Sequence, residues 1–508
     1  MTVLSALFPS VGGKSKDFVA SGAVTAATPV ILNSAGTVTE VGFATTAESI
    51  PAGAEDVVGV LINYVGLAVD PTSGNVVAVY KDFDASPSDY GWCVVGVVSG
   101  TTLTWGTPTA FSSAAMAAAP LSVNFDPNTA GSFVIGYRTT ALNVIRVIAS
   151  TLSGSTLGAF GTGVAFASSA SPADTANNQL SFDPNTAGKF AMANVITSAA
   201  TSGIVIGTVS GTTVSFAGST QDFTTADDYA YVNVIWNPNV ANEIVASFVR
   251  SGWWGKVIKG TVSGTSVTWG TETILVSATA NYLNLQFDPN VANSFAWAYY
   301  NANTGVGGSG AGTLVGATWT FGTNQVVPSG GSGQNFMVRF DPNQAGKLAC
   351  IYASSDGAYN VRATSATISG TTLTWGTQNE LSADGDYAAG PGMEAISFST
   401  TEKGKFVAGY ALGSASSNAM GGVVGQIEAS VTNLTATNLV GIAAEAISDT
   451  ATGSVNLRGA ISDGFTSLVE GSEYYVQADG TVTTTSTSPA QKLGVALSET
   501  QINTEYLT

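Results

Sequence analysis

The sequence predicts an all-β protein: a seven-bladed β-propeller flanked by small N- and C-terminal β-modules. Three observations carry that expectation. Apolar residues alternate with the period of strands and no segment has a helical period; one turn motif recurs seven times; and a second motif interleaves with it. The composition agrees, with 508 residues of which 44% are hydrophobic, only 10% are charged and 59 are glycine. Such a chain has ample material for a folded core and too little charge for disorder.

The first motif reads VDPTSG at Asp70, FDPNTAG at Asp126 and Asp183, WNPNVAN at Asn237, FDPNVAN at Asp288, FDPNQAG at Asp341 and a degenerate FSTTEKG at Ser399. Successive copies are 56, 57, 54, 51, 53 and 58 residues apart. The second motif follows each copy by about thirty residues: SGTTLTWGT from Ser99, SGSTLGAFGT from Ser153, SGTTVSFAG from Ser210, SGTSVTWGT from Ser263, VGATWTFGT from Val315, SGTTLTWGT from Ser369 and SVTNLTATN from Ser430.

One period shows how strands arise. NQLSF alternates and is stopped by Asp183-Pro184-Asn185, where proline fixes φ and the Asx side chain closes a turn. KFAMANVI and IVIGTVS give the second and third strands, and Ser210-Gly211 turns the chain into a fourth. Four antiparallel strands in each of seven periods predict one blade per period. The recurrent Asp and Asn residues are therefore expected to serve turns. The aromatics Trp105, Phe160, Phe216, Trp269, Phe321 and Trp375 are expected to pack between neighbouring blades. The hairpin resembles the Asp-box of sialidase propellers, with Ser-Gly or Thr-Thr where that box has its aspartate.

Charge and residue usage narrow the chemistry. Lys plus Arg is 16 and Asp plus Glu is 34, a net charge of −18, which repels nucleic-acid backbones and anionic lipid surfaces. With no histidine, Ser/His/Asp triads, histidine bases and histidine-ligated zinc are excluded. The acidic loops around Asp82, Asp84 and Asp89 and around Asp384 and Asp386 match no defined calcium-loop spacing, so no metal and no cofactor is expected. Cys93 and Cys350 fall in blades that are not neighbours, which predicts two free thiols. No apolar run reaches the ~18 residues of a membrane-spanning helix. The start MTVLSALFPSVGGKSKDF lacks signal-peptide features, so folding in a cytoplasm is expected.

Because strand direction alternates, both repeated turns fall on one face and the variable loops on the other, where recognition residues concentrate. That face is expected to carry Tyr90, Trp92, Arg250, Trp253, Trp254, Tyr299, Tyr300 and Tyr359, with Asp227-Asp228-Tyr229, Asn281-Tyr282 and Asp384-Gly385-Asp386-Tyr387 in loops between blades. Aromatic rings beside carboxylates and amides suit sugar binding. The ligand-contact candidates are Arg250, Trp253, Trp254, Tyr299, Tyr300, Asp228, Tyr229, Asp386 and Tyr387. Tyr229, Tyr282 and Tyr387 fall at equivalent loop positions, which also suits a structural lining of the central channel. Arg138, Arg146, Arg250, Arg339 and Arg362 are scattered over different strand positions, so no arginine triad and no catalytic residue is expected.

The two ends resemble each other. SGAVTAATPVILNSAGTVTEV near the start and LVEGSEYYVQADGTVTTTS near the end each give a strand and a tight turn ending in Gly-Thr-Val-Thr, at Gly36 and Gly480. The expected division is an N-terminal module over 1–56, the propeller over 57–439 and a C-terminal module over 440–508. The segment from NLVGIAAEAISDTATGSVNLRGAI through KLGVALSET resembles the C-terminal module of structural proteins of tailed phages, marine and cyanobacterial ones especially, and the repeats resemble propeller segments of the same virion proteins. The resemblance implies a virion surface component, such as a tail fibre, spike or capsid decoration. On that reading, other virion proteins and sister copies in a homo-oligomer are the expected partners, joined through the terminal modules, and the variable-loop face is expected to contact host-surface glycans. The competing expectation is a carbohydrate-active enzyme of sialidase-like architecture, or a lectin.

Overall fold

Alternating apolar residues and paired turns organise the chain into antiparallel strands, and no helix occurs among the described residues. The computed structural model describes residues 14–42, 50–58, 62–82, 89–117, 121–140, 144–167, 180–196, 201–224, 229–250, 254–328, 333–354, 360–382, 394–412, 419–427, 433–435, 437–477, 480–486 and 490–504. The chain forms two compact units, Glu48–Glu428 and a second assembled from Met1–Ala47 together with Ala429–Thr508. This corrects the three-part division, because the two termini fold together.

In the unit Glu48–Glu428 the repeats form seven four-stranded sets, hydrogen-bonded in sequence order. Their first strands are Ile62–Val69, Ser122–Phe125, Leu180–Phe182, Tyr229–Trp236, Thr273–Phe287, Gly333–Phe340 and Glu394–Phe398. Thr273–Phe287 is long because it also pairs at its start with the third strand of repeat 4, Trp254–Ser263. The last set departs from expectation. Its fourth strand is Asp56–Val58, from the beginning of the chain, paired with Ala419–Gln426. SVTNLTATN lacks the turn glycine of the other copies and lies in the other unit, where Asn433 Nδ2 donates to the Glu40 carbonyl at 2.7 Å.

The turn residues have a uniform role. In all seven repeats the side chain at the Asp position accepts the main-chain N–H two residues on: Asp70 from Thr72, Asp126 from Asn128, Asp183 from Asn185, Asn237 from Asn239, Asp288 from Asn290, Asp341 from Asn343 and Ser399 from Thr401. The motif ends on Gly or Asn because that residue is left-handed, with φ from 61° to 74° at Gly74, Gly131, Gly188, Asn242, Asn293, Gly346 and Gly404.

The same turns also join one repeat to the next. The second carboxylate oxygens of Asp126, Asp288 and Asp341 accept the N–H of Gly188, Gly346 and Gly404 of the following repeat, each at 2.7 Å. Nδ2 of Asn128, Asn239, Asn290 and Asn343 donates to the carbonyl of Asp183, Asp288, Asp341 and Ser399. Thr400 Oγ1 of repeat 7 donates to the Pro71 carbonyl of repeat 1 at 2.9 Å.

The cores follow the same order. Each of seven hydrophobic clusters draws on two repeats: 1 with 2, 2 with 3, and so on to 6 with 7, while one holds Val65 and Leu67 of repeat 1 against Val407 and Val424 of repeat 7. The motif aromatics sit between repeats as expected. Trp105 Nε1 donates to the Asp56 carbonyl, Trp269 Nε1 to that of Gln221, and Trp375 Nε1 to Ser309 Oγ. In repeat 5 the third strand is glycine-rich because Tyr299, Trp297 and Phe295 lie flat across Gly308, Gly310 and Gly312. Cys93 and Cys350 are buried and free.

The unit built from both termini contains two five-stranded sheets of identical topology. In the first, Ser15–Val19, Thr452–Asn456, Leu439–Ala443, Pro29–Leu32 and Val38–Glu40 lie side by side; in the second, Ile461–Ser462, Gln501–Asn503, Gln491–Ser498, Glu473–Val476 and Val482–Thr483. Both have sequence order 1-5-4-2-3. Local details match. Ala27 N–H bonds the Ala443 carbonyl as Gly471 N–H bonds that of Ala496, and the Gly36 and Gly480 turns close on Asn33 and Gln477 in the same way. Ile31, Val41 and Leu439 of the first sheet share a core with Tyr474, Val476 and Leu493 of the second. The resemblance between the chain ends is thus a duplication, and the repeat array is inserted between the third and fourth strands of its first copy.

Candidate functional site

Repeat 4 gathers the candidates that the structure brings together. Arg250 ends the second strand, Glu243–Arg250, and Trp254 begins the third. Across the sheet Tyr229 is in register with Arg250, Arg250 with Trp254, and Trp254 with Thr279, so these residues form one row at the variable-loop end. Trp254 is 45% exposed and Ile274 44%, and Trp254 is the one aromatic among the described large apolar side chains that stand exposed. Lys256 lies two residues from Trp254, in register with Ile274, and its ammonium is held by Glu272 at 2.8 Å. The result is an exposed apolar ledge bordered by an ion pair.

Other candidates are placed elsewhere. Tyr299 is buried, with its ring against Gly308, which removes it as a ligand contact. Burial also raises its hydroxyl pKa above the ordinary phenol value. Tyr300 is half-buried and packs on the core shared by repeats 5 and 6. Trp253, Asp228, Asp386 and Tyr387 lie outside the described residues, as do Asp84, Asp227, Tyr359 and Asp384.

The expected equivalence of Tyr229, Tyr282 and Tyr387 is corrected. Counting back six residues from the turn, Tyr282 matches Tyr231, Tyr64 and Asn335. These four share a left-handed backbone, with φ of 54°, 54°, 59° and 56°, each at a bulge in a first strand. The Tyr231 and Tyr282 rings meet edge to face with centroids 4.9 Å apart, and burial, then Tyr282, pushes the Tyr231 hydroxyl pKa up. Sequence reasoning missed these four equivalent bulges, and their one legible signal was the constant six-residue offset.

It also missed a solvent-open cavity of about 240 Å³, lined from repeats 2 to 7 by residues of the first strands, including Asn124, Ser181, Gln286, Arg339 and Ser397. Arg339 Nη1 donates to Asn284 Oδ1 at 3.2 Å and to the Val338 carbonyl at 2.8 Å. Burial lowers the Arg339 pKa to about 10. Among the described lining residues Arg339 is the one charged group, and no pair of carboxylates faces the cavity. Arg146 and Arg362 are used elsewhere, on the Gly163 carbonyl at 3.0 Å and near Glu380 at 3.8 Å.

No protein-family model matches the chain, and no curated protein matches it. Solved structures do. The BP39L lectin from Burkholderia pseudomallei is 11% identical with a TM-score of 0.50, over 73% of this chain and 98% of the lectin. The NanB sialidase from Streptococcus pneumoniae is 10% identical with a TM-score of 0.39, over 75% and 70% of the two chains. The arabinofuranosidase arb93a from Fusarium graminearum is 12% identical with a TM-score of 0.42, over 68% and 98%. The protein has an all-β fold similar to that of β-propeller proteins. At this identity the likeness concerns the fold alone.

Proposed function

We propose that the protein is a non-enzymatic structural component of a tailed-phage particle. In this reading a closed seven-bladed propeller is displayed on the virion surface and the duplicated terminal unit joins it to other virion proteins or to sister chains. The observation that carries the reading is the insertion: the repeat array leaves and re-enters one β-unit built from both termini, which leaves that unit's second copy complete. The resemblance of this unit's sequence to phage virion modules points the same way. Ring closure is supported by the core between repeats 7 and 1, by the Thr400–Pro71 hydrogen bond, and by the fourth strand that the chain start contributes to repeat 7.

Host-surface glycans are the ligand class we assign to the variable-loop end of repeat 4. An exposed indole stacks on the C–H face of a sugar while the neighbouring Lys256–Glu272 pair offers polar contacts to hydroxyls. Two experiments test the proposal. Mass spectrometry of purified particles is expected to find the chain, and its absence there would end the virion reading. A glycan array paired with a hydrolysis assay is expected to show binding that Trp254→Ala abolishes and no turnover. Turnover lost on changing a single carboxylate would replace this reading with the enzymatic one.

A further inference from the structure

The position two residues before each turn Asp or its equivalent carries Ala68, Asn124, Ser181, Ile235, Gln286, Arg339 and Ser397 in the seven repeats. The last six all line this solvent-open cavity, so one register position of the fold generates its wall. Six of the seven residues are small or neutral. Arg339 breaks the series, placing a fixed positive charge inside a chain with 34 acidic and only 16 basic residues.

The surroundings orient that charge. Asn284 Oδ1 accepts from Arg339 Nη1 and from the Val338 N–H, which fixes the guanidinium plane against repeat 5. On another side Ser397 Oγ accepts the Val69 N–H at 3.0 Å, which leaves its own O–H to be donated. A guanidinium presents planar donors that match carboxylate and phosphate oxygens, and the charge-assisted bonds it makes are among the strong hydrogen bonds.

We propose that this cavity binds a small oxyanion, held by Arg339 with Ser397, Gln286, Ser181 and Asn124 as polar partners. A guanidinium surrounded by hydroxyl and amide groups matches the oxygens of inorganic phosphate or a short dicarboxylate. None of Trp254, Lys256, Glu272 and Ile274 is among the described residues that line this cavity, so the proposed site is separate from that ledge and independent of the glycan reading.

The test is calorimetric titration of the full chain with inorganic phosphate and with malonate, against sodium chloride at matched ionic strength. Saturable binding of either oxyanion is expected, weakened about tenfold or more in Arg339→Gln, as for loss of charge-assisted hydrogen bonds, and partly retained in Arg339→Lys. Gln286→Leu, which keeps the charge, is expected to weaken binding as well, and it decides the matter if Arg339→Gln does not fold. Trp254→Ala is expected to bind the anion like the parent protein. No saturable binding of either oxyanion, or binding unchanged in Arg339→Gln and Gln286→Leu, overturns the proposal.

Discussion

Asp288 is the strongest single test of how the repeats are held together. Its carboxylate is fully buried; Oδ1 accepts the N–H of Asn290 at 2.7 Å and of Val291 at 3.2 Å, and Oδ2 accepts the Gly346 N–H of the next repeat at 2.7 Å. Asp288→Ala removes all three bonds and leaves the Gly346 donor buried without them. Hydrogen bonds to a charged group contribute about 1.5–3 kcal/mol each, but burial of the carboxylate offsets part of that gain and two of the three close the same turn, so a loss of about 1.5–3 kcal/mol is expected. Asp288→Asn keeps one acceptor oxygen and presents an amide to Gly346, for a loss of about 0.5–1.5 kcal/mol.

Urea unfolding monitored by tryptophan fluorescence gives the size of the effect, and hydrogen exchange at Gly346 gives its location. An Ala variant within about 0.5 kcal/mol of the parent, the range of ordinary surface substitutions, would refute the reasoning. The pH dependence has a definite sign. Burial outweighs the three N–H bonds and raises the Asp288 pKa above the ordinary carboxylate value. Between the unfolded and folded pKa values the folded chain binds more protons, so stability from this group falls as pH rises through that window. Parent protein is therefore expected to gain stability relative to Asp288→Asn as pH drops through it.

Three further outcomes are expected. Gly310→Ala would place its Cβ 2.2 Å from Cζ2 of the fully buried Trp297, so overpacking is expected to cost about 1–3 kcal/mol in chemical denaturation. Gly441→Ala and Gly494→Ala place Cβ 2.1 and 1.9 Å from the carbonyl oxygens of Asn456 and Asn503, at matching positions of the duplicated sheets. Each is expected to raise hydrogen exchange in the terminal unit and leave the repeat array unchanged; an effect from only one would argue against their equivalence. Cys93 and Cys350 are buried, which raises both thiol pKa values, so neither is expected to react with a thiol reagent before unfolding, and intact mass should show no 2 Da deficit.

The sequence alone determined the strand periodicity, the four-strand repeat and the structural role of its turns. These depend on local chemistry: an Asx side chain closes its own turn two residues on, and a left-handed position selects Gly or Asn wherever it occurs. The interleaved spacing also located the packing aromatics, because each repeat needs the same large side chain at the same interface. What the sequence could not decide depends on partners distant along the chain. The fourth strand of repeat 7 comes from Asp56–Val58, more than 350 residues before its partner, and no local pattern encodes that pairing.

The likeness of the two ends was visible, but only the tertiary structure revealed that the first copy is split and completed by Leu439–Ala443 and Thr452–Asn456. Likewise, Tyr299 reads as a surface aromatic until the glycine opposite it is known to form its bed. Arg339 reads as one of several scattered arginines until six first strands converge on a common cavity. Local turn chemistry wrote the repeat into the sequence; the cavity, the split sheet and the exposure of Trp254 came from long-range register, which is set by packing between segments that no sequence window contains.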